Sequence, residues 1–389
     1  MSIRTGQMSH LSWSEVCARR LERHALSVPS RDARPADVVA AMCGAHAQVL
    51  SAAELSIGLR VAGLTRADVR RALWEERSLV KTFGPRGTVH LLPTGDLPMW
   101  TGALSALPLR NSHAKNVRLT PGQTDEVVEA IAAVLQDAEL TIDELSQEVI
   151  AATGPWAGDL VMPGFQDMWP RWRQALATAA DRGALCFGPN RGRKVTYTSP
   201  RRWLPGFRPA DGATALAGVL KRYLHAYGPA TPAQFAQWLA VPRRWAAELF
   251  ESLAGELERV EVDGAPAWLA AGDGAMPSAP PRGVRLLPYF DAYTVGCHPR
   301  ELLFPGPAAG RALAGGQAGN FPVLLVDGTA AGVWHQRRSG RRLDITVEPF
   351  APLTAARRGE LDDQVERVGE FLEGEPRLTI GTVTVGAHA

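Results

Sequence analysis

The chain has 389 residues, of which 46% are apolar and 21% are charged, and its formal net charge is +2. This length and this balance predict several folded modules and exclude a wholly disordered chain. No apolar run is long enough for a transmembrane helix, and the first residues lack the apolar stretch of a secretory signal. We therefore expect a cytoplasmic protein with no membrane partner. The four cysteines lack the paired spacing of a zinc site, which predicts free thiols, no metal and no cofactor.

The first hundred residues predict helices followed by a β-hairpin. An opening helix is expected near residues 12–26 and short helices over residues 35–77, one of them with Ser51 as N-cap and Glu54 completing a capping box. Two β-rich runs then flank residues 84–87, which is typical of a hairpin. Helices followed by a hairpin form the pattern of a winged helix.

A second stretch repeats this order of elements. Thr141 is expected to cap a helix, with Glu144 completing its capping box. A long helix is predicted over residues 167–181, and a hairpin around residues 189–192. The sequences of the two stretches are not similar, so the repeat is one of structure only.

A third stretch and a different terminal region follow. A helix near residues 212–226 and two shorter helices lead to a hairpin that turns at Asp263 and Gly264. Residues 271–283 are rich in proline and glycine and predict a linker. Strand-like runs with a turn at residues 327–328, a helix over residues 354–373 and a last short strand predict a β-rich module.

The predicted fold class is therefore α+β, with tandem winged-helix modules and a C-terminal β-rich module. The predicted boundaries are residues 1–110 for the opening helix and first winged helix, 111–205 for the second, 206–275 for the third, and 276–389 for the β-rich module.

Four segments resemble the AlkZ-like family of winged-helix DNA glycosylases, in the order the family has them. They are MCGAHAQVLSAAELSIGLR at 42–60, FGPRGTVHLLP at 83–93, LLPYFDAYTVGCHPR at 286–300 and VLLVDGTAAGVWHQ at 323–336. They are similar, respectively, to the family's catalytic segment, its Arg-Gly-Thr-x-His strand, its Leu-Leu-Pro-x-Phe-Asp signature and its glycine-rich hairpin. The resemblance implies a C-shaped architecture that binds double-stranded DNA containing an alkylated purine, and a monomer associated with the nucleoid when bound.

The resemblance also places a catalytic pair at His46 and Gln48. The family's pair is usually Gln-x-Gln or Gln-x-Asp, so the histidine is a departure that leaves open a variant chemistry, a variant substrate or loss of activity. A neutral imidazole can accept a proton from water, and a carboxamide can orient that water. Without the family position, a lone histidine near a short helix is more often a structural residue.

A pair without a carboxylate predicts a substrate whose leaving group is already activated. A purine alkylated at N7 or N3 is cationic and departs as a neutral base. With no lysine beside the pair, a Schiff-base step is not expected, which predicts a monofunctional DNA glycosylase. Family members are associated with bulky N7-guanine adducts of natural products, which implies base-excision repair and self-resistance to a genotoxic compound.

Further candidates for contact with substrate or DNA lie in the signature segments and at two basic hairpin tips. They are Arg86, Thr88 and His90 on the first hairpin, Asp291 and Tyr293 in the signature, and the tips with Arg191, Arg193 and Lys194 and with Arg337, Arg338 and Arg341. A structural hydrogen bond for His90 and a buried turn cap for Asp291 are the alternatives. The second tip is the favoured one for phosphate or minor-groove contact. Trp169, Trp172 and Trp334 are expected to pack cores.

Two other functions compete with catalysis on DNA. A non-catalytic winged-helix transcriptional regulator would prefer one DNA sequence, would dimerise and would produce no abasic sites. A small-molecule hydrolase lacks support because the sequence has no G-x-S-x-G elbow, P-loop or metal-ligand cluster.

Overall fold

The computed structural model describes residues 9–108, 113–164 and 167–387. The chain divides into two compact units: unit 1 combines residues 1–71 with residues 220–389, and unit 2 comprises residues 72–219. The four modules predicted from the sequence stay a prediction, since one compact unit can contain more than one winged helix. Within the described ranges, none of the helices combines the length and apolarity that crossing a membrane requires.

The fold is a mixed α+β fold. Its helices are α1 (Trp13–Arg23), α2 (Pro35–Ala41), α3 (Leu50–Gly58), α4 (Arg66–Trp74), α5 (Leu97–Ser105), α6 (Pro121–Val134), α7 (Ile142–Thr153), α8 (Leu176–Asp181), α9 (Gly212–Tyr227), α10 (Pro232–Leu239), α11 (Arg243–Ser252), α12 (Ala292–Gly296), α13 (Arg300–Leu303), α14 (Pro307–Arg311) and α15 (Ala355–Leu372). Its strands are β1 (His10–Leu11), β2 (Ala45–His46), β3 (Leu79–Phe83), β4 (Val89–Pro93), β5 (Glu139–Thr141), β6 (Leu160–Pro163), β7 (Met168–Pro170), β8 (Cys186–Arg191), β9 (Lys194–Thr198), β10 (Leu257–Val262), β11 (Ala265–Ala270), β12 (Val284–Leu287), β13 (Val323–Val326), β14 (Thr329–Ser339), β15 (Arg342–Pro349) and β16 (Glu375–Ile380).

Unit 1 contains two sheets. In the smaller sheet β10 and β11 form the predicted hairpin, and β1 adds to it in parallel. The predicted turn is confirmed: Asp263 and Gly264 both have positive φ, 45° and 83°, which a two-residue hairpin loop of this kind requires.

The larger sheet of unit 1 has the order β12-β13-β14-β15-β16, antiparallel except for the parallel pair β15 and β16. This confirms the β-rich terminal region, its turn at residues 327–328 and its helix, which is α15. Trp334 on β14 is buried, as expected, and its indole N–H donates to the carbonyl oxygen of Leu287 at 2.8 Å.

Unit 2 contains the hairpins of the first and second stretches. Strands β3 and β4 pair antiparallel on either side of residues 84–87, and β8 pairs with β9, which confirms both predicted hairpins. The capping box at Thr141 is confirmed, with Glu144 as its partner. Trp172 lies in the core, where it packs among apolar side chains of α6 and α7.

The predicted helix over residues 167–181 is wrong for its first half. Met168–Pro170 form strand β7 against β6, Arg171–Ala175 form a 3₁₀ turn, and α8 begins only at Leu176. The cause is Pro170, since a residue that precedes proline is driven out of the helical region. Trp169 is accordingly not a core residue: it is partly exposed, and the Arg173 guanidinium lies 4.0 Å from its ring centroid.

The predicted capping box at Ser51 is also wrong. Helix α3 begins two residues earlier than predicted, at Leu50, with Val49 as an N-cap that makes no side-chain hydrogen bond. The Glu54 side chain is fully buried and accepts hydrogen bonds from Arg66 at 2.5 Å and Arg70 at 2.8 Å. The local pattern predicted that the Glu54 carboxylate would cap the start of α3, but this carboxylate is instead paired with two arginines of α4.

Gly58 at the end of α3 offers a test of this packing. A Cβ atom at this position would lie 2.1 Å from the ring of the buried Phe371, so Gly58→Ala should lower the free energy of unfolding by about 1–3 kcal/mol. Gly359 in α15 is the matched control, because a Cβ atom there meets nothing within 4 Å. Gly359→Ala should raise stability by up to about 1 kcal/mol. Urea unfolding monitored by circular dichroism measures both, and equal signs would contradict the packing described.

Candidate active site

The His46 and Gln48 pair lies on the non-helical segment that joins α2 to α3. His46 is the last residue of β2, and Val49, just after Gln48, still has extended dihedrals (φ −109°, ψ 100°). Side chains two positions apart on extended chain point to the same face. Gln48 is exposed and His46 keeps 9% of its surface, whereas Ala47 between them keeps 1%. The pair therefore lies outside a helix, and a shared orientation of its two side chains stays a prediction.

The imidazole of His46 stacks on the ring of Phe290. The ring centroids are 4.6 Å apart and the planes are inclined by 29°. Phe290 has a left-handed backbone (φ 53°), which is costly for a residue with a bulky side chain. Its N–H donates to the carbonyl oxygen of Gly319 at 3.0 Å, and a Cβ atom on Gly319 would come within 2.9 Å of the Phe290 ring. Tertiary contacts thus hold the ring that fixes the plane of His46.

Asp291, the next residue, makes a buried ion pair with Arg60, which lies two residues beyond the end of α3. Two hydrogen bonds of 2.8 Å link the guanidinium to both carboxylate oxygens, and both side chains are 0% exposed. The hydroxyl of Ser56 donates to the same carboxylate at 2.6 Å. Burial alone would raise the pKa of Asp291, but Arg60 and these hydrogen bonds hold that pKa below its ordinary value of 3.8.

The structure corrects the expectation that Asp291 and Tyr293 contact substrate or DNA. Asp291 is the N-cap of α12, where its carboxylate accepts from the N–H of Tyr293 at 2.9 Å, so the alternative of a buried turn cap is what is found. The hydroxyl of Tyr293 donates to the carbonyl oxygen of Gly328 at 2.9 Å, and the residue is 0% exposed. Both side chains use their polar atoms inside unit 1.

The candidates on the first hairpin belong to unit 2. His90 is 4% exposed, and its Nδ1 lies 2.9 Å from the carbonyl oxygen of Thr88, which fits the structural alternative for this histidine. The hydroxyl of Thr88 donates to the carbonyl oxygen of Pro85 at 3.0 Å. Arg86 is partly exposed and has a left-handed backbone, with φ 66°. Contact of Arg86 or Thr88 with DNA stays a prediction.

The basic tip of the β8 and β9 hairpin is largely neutralised by its own unit. Arg191 pairs with Glu144 at 3.1 Å and Lys194 with Asp143 at 2.8 Å, and both carboxylates belong to α7. Arg193, at the turn, is exposed. These pairs reduce the positive charge that the tip can offer to a phosphate.

The tip of the β14 and β15 hairpin keeps more of its charge. Arg338 donates to the carbonyl oxygens of Gly340 and Leu372, neither of which carries charge. Within the described ranges, the one ion pair of Arg341 is an exposed pair with Glu375 at 3.3 Å. Arg337 is exposed, and no carboxylate from the part of the chain that the structure describes pairs with it. The favoured tip is thus also the one with the more available cations.

Three residues that matter to this geometry were missed by the sequence reasoning: Ser56, Arg60 and Phe290. Phe290 stands in a signature segment, which was a usable signal. Arg60 and Ser56 lie within the segment that resembles the family's catalytic segment, but no local pattern pairs them with a residue 231 or more positions away.

Comparison with known proteins identifies the class. The chain is 34% identical over 343 residues, 83% of its length and 87% of the relative's, to the interstrand DNA cross-link repair glycosylase of Streptomyces sahachiroi. A solved structure, that of the Streptomyces sahachiroi DNA glycosylase AlkZ, matches with a TM-score of 0.79 and 31% identity and covers 96% of this chain and 100% of that one. The protein is a DNA glycosylase, an enzyme of DNA repair that acts on DNA.

The sequence model described as DNA glycosylase AlkZ-like matches residues 39–371, most of the chain. The chain belongs to the AlkZ-like DNA glycosylase family, which confirms the resemblance found in its motifs. Membership favours catalysis over the alternative of a non-catalytic regulator.

The Arg60 and Asp291 pair predicts a large and pH-dependent effect of Asp291→Asn. The variant leaves the buried guanidinium without its counter-charge, so the free energy of unfolding should fall by about 3–5 kcal/mol at neutral pH. Because the folded-state pKa is lowered, the carboxylate contributes fully above the unfolded value near 3.8 and loses its contribution as the pH falls through the folded value. The variant should therefore lose less stability in acid than the wild type does.

Denaturant unfolding between pH 2 and pH 7 measures this difference. Asp327→Asn is the control, because Asp327 pairs with Arg357 at 2.6 Å but its side chain is 41% exposed. Its cost should stay below about 1 kcal/mol. An Asp291→Asn variant as stable as this control would show that the buried pair does not hold the loop.

Proposed function

We propose that the protein is a monofunctional DNA glycosylase that excises cationic N7-alkylated guanine from double-stranded DNA. Bulky adducts of a genotoxic natural product are its proposed substrates, and self-resistance through base excision is its proposed role. The observation that carries the proposal is the pair itself: His46 and exposed Gln48 lie two positions apart on the non-helical segment before α3, and the ring of Phe290 stacks on the imidazole. The relative from Streptomyces sahachiroi is an interstrand DNA cross-link repair glycosylase, which supports a bulky lesion.

In the proposed reaction, the oxygen of a water molecule attacks C1′ of the deoxyribose. The bond between C1′ and N9 breaks, and its electron pair moves to the purine, which cancels the positive charge that alkylation created. The water gives one proton to the neutral imidazole of His46, which later returns it to solvent. The Gln48 carboxamide accepts from and donates to the same water and sugar. The products are a neutral alkylated base and an abasic site.

The surroundings of the pair support a substrate that needs no protonation to leave. Asp291, the acidic residue next to Phe290 in the chain, has both carboxylate oxygens bonded to Arg60. It is fully buried and cannot serve as an acid or base toward DNA. Glycosidic cleavage without general acid catalysis requires a good leaving group, and an alkylated, cationic purine is one.

Binding of the duplex completes the proposal. We assign phosphate or minor-groove contact first to the tip with Arg337, Arg338 and Arg341, because it keeps more unpaired charge. The winged-helix interpretation of the three helix-and-hairpin stretches, the C-shaped arrangement and the monomeric state are parts of the same proposal. They rest on the resemblance of the motifs and on the order of elements.

The test is base release by variants of the pair. His46→Ala and Gln48→Ala should each slow release of N7-alkylguanine by about 10²- to 10⁴-fold, the usual size of a lost acid–base or water-orienting group. Binding of the same duplex should not change, because neither residue neutralises a phosphate. Single-turnover release measured beside duplex binding separates the two effects.

The pH profile of release distinguishes the role of His46. A base must be unprotonated, so the wild-type rate should fall as the pH decreases, and His46→Gln, which restores the family's usual residue, should remove that fall. His10→Ala is the matched control, since the side chain of His10 is 67% exposed and pairs only with Glu261. Full release by both pair variants would remove the pair from the mechanism, and a wild type that releases no N7-alkylguanine, small or bulky, would end the proposal.

A further inference from the structure

A cavity of about 220 Å³ opens beside the proposed active pair in unit 1. It lies between the first turn of α3 and the middle of β14, and its lining includes Val49, Ser51, Tyr289, Trp334, His335 and Gln336. We call it the Tyr289 cavity. Pockets that hold drug-sized ligands are typically 300–1,000 Å³, so this one has room for a single- or double-ring group and not for a whole large molecule.

The cavity lies near the pair through the ring of Tyr289. The centroid of this ring is 6.4 Å from that of Phe290, on which His46 stacks at 4.6 Å, and Val49 in the lining directly follows Gln48 in the chain. In an N7-alkylated guanine, N7 and the glycosidic N9 belong to the same five-membered ring and are separated by one carbon. A substituent on N7 therefore stays close to the bond that breaks. A cavity beside the pair is where that substituent would lie.

The lining has the chemistry of a site for a neutral, flat group with a polar edge. Among the described residues that line it, none is Asp, Glu, Lys or Arg. Burial lowers the pKa of His335 from its ordinary value of 6.5, which keeps this imidazole neutral near pH 7. The rings of Tyr289 and Trp334 supply aromatic surface. An anion such as a phosphate would find no counter-charge here.

Gln336 adds a hydrogen-bonding group to this wall. Its Oε1 is buried, and the described residues offer it no donor within hydrogen-bond distance. A carboxamide carries one acceptor and two donors, so a small rotation of its side chain can meet either kind of edge on an occupant. A buried polar group without a partner costs free energy, which an occupant with a matching edge would recover.

We infer that the Tyr289 cavity binds the planar substituent carried on N7 of the adducted guanine, and that it sets which adducts are excised. The inference rests on the proposed function. It makes Tyr289 and Gln336 specificity-determining residues, outside the reacting pair. Bulky adducts with a flat ring near the point of attachment gain binding from it, whereas a methyl group is too small to reach it.

The test compares two duplexes that differ only in the group on N7: one carries N7-methylguanine and the other N7-(2-naphthylmethyl)guanine. Tyr289→Ala removes the stacking surface, so kcat/KM for the naphthylmethyl duplex, divided by that for the methyl duplex, should fall about tenfold, the size expected for one lost aromatic contact. Gln336→Leu keeps the bulk of the side chain but removes its polar atoms. It is tested with a third duplex that carries N7-(quinolinylmethyl)guanine, whose ring has a polar edge. The variant should lower kcat/KM for this duplex relative to kcat/KM for the methyl duplex.

Leu302→Ala is the control, because Leu302 is partly exposed and lines a different cavity of unit 1, of about 260 Å³. It should leave the ratio unchanged. Thermal unfolding identifies any variant that has lost its fold, and the ratio is independent of the active fraction. An unchanged ratio in Tyr289→Ala overturns the inference. If kcat/KM falls by the same factor for both duplexes, the ratio is also unchanged, and the side chain then acts on a part of the substrate that both duplexes share. A wild type that releases neither base refutes the proposed function, a result distinct from either of these.

Discussion

The buried ion pair between Arg60 and Asp291 is the constraint on which the site depends. Neither side chain is exposed, so each charge is tolerated only because the other faces it in a two-bond geometry. Arg60 follows α3, the helix that begins just after Gln48, and Asp291 follows Phe290. This ion pair therefore fixes the end of α3 relative to the loop that carries Phe290. A shift of either the helix or the loop would separate two opposite charges in the buried interior. The ion pair thereby helps to hold the ring of Phe290 in its stacked position against His46.

Two buried carboxylates of unit 1, those of Asp291 and Glu54, are paired with arginines. Asp291 is committed to Arg60, and buried Glu54 is committed to Arg66 and Arg70. The proposed pair consists of one imidazole and one carboxamide. In the proposed mechanism these two groups orient water and accept its proton, which suits a leaving group that carries its own positive charge. The Tyr289 cavity has no Asp, Glu, Lys or Arg in its lining, so the specificity inferred for it depends on shape and stacking.

The basic residues of the two hairpin tips differ in how many of them are paired with carboxylates. A chain with a net charge of only +2 can still bind a polyanion if its cations are unevenly paired. Arg191 and Lys194 are held by carboxylates of α7, whereas Arg337 and Arg338 are exposed and face no acidic partner among the residues described. Counting basic residues at the two tips does not distinguish them. Knowing which carboxylates lie against them does.

The sequence by itself determined the elements whose causes are local. The capping box at Thr141 and the turn at Asp263 and Gly264 depend on residues within three or four positions, and their signals could be read directly. Ordered motifs also located the family, and they predict the pair at His46 and Gln48. Tertiary structure decided the rest: Glu54 became a buried partner of two arginines, and Phe290 adopted a left-handed backbone against His46. Arg60 and Asp291 are 231 positions apart in the sequence. Their ion pair forms only when folding brings the two side chains together and removes water from both.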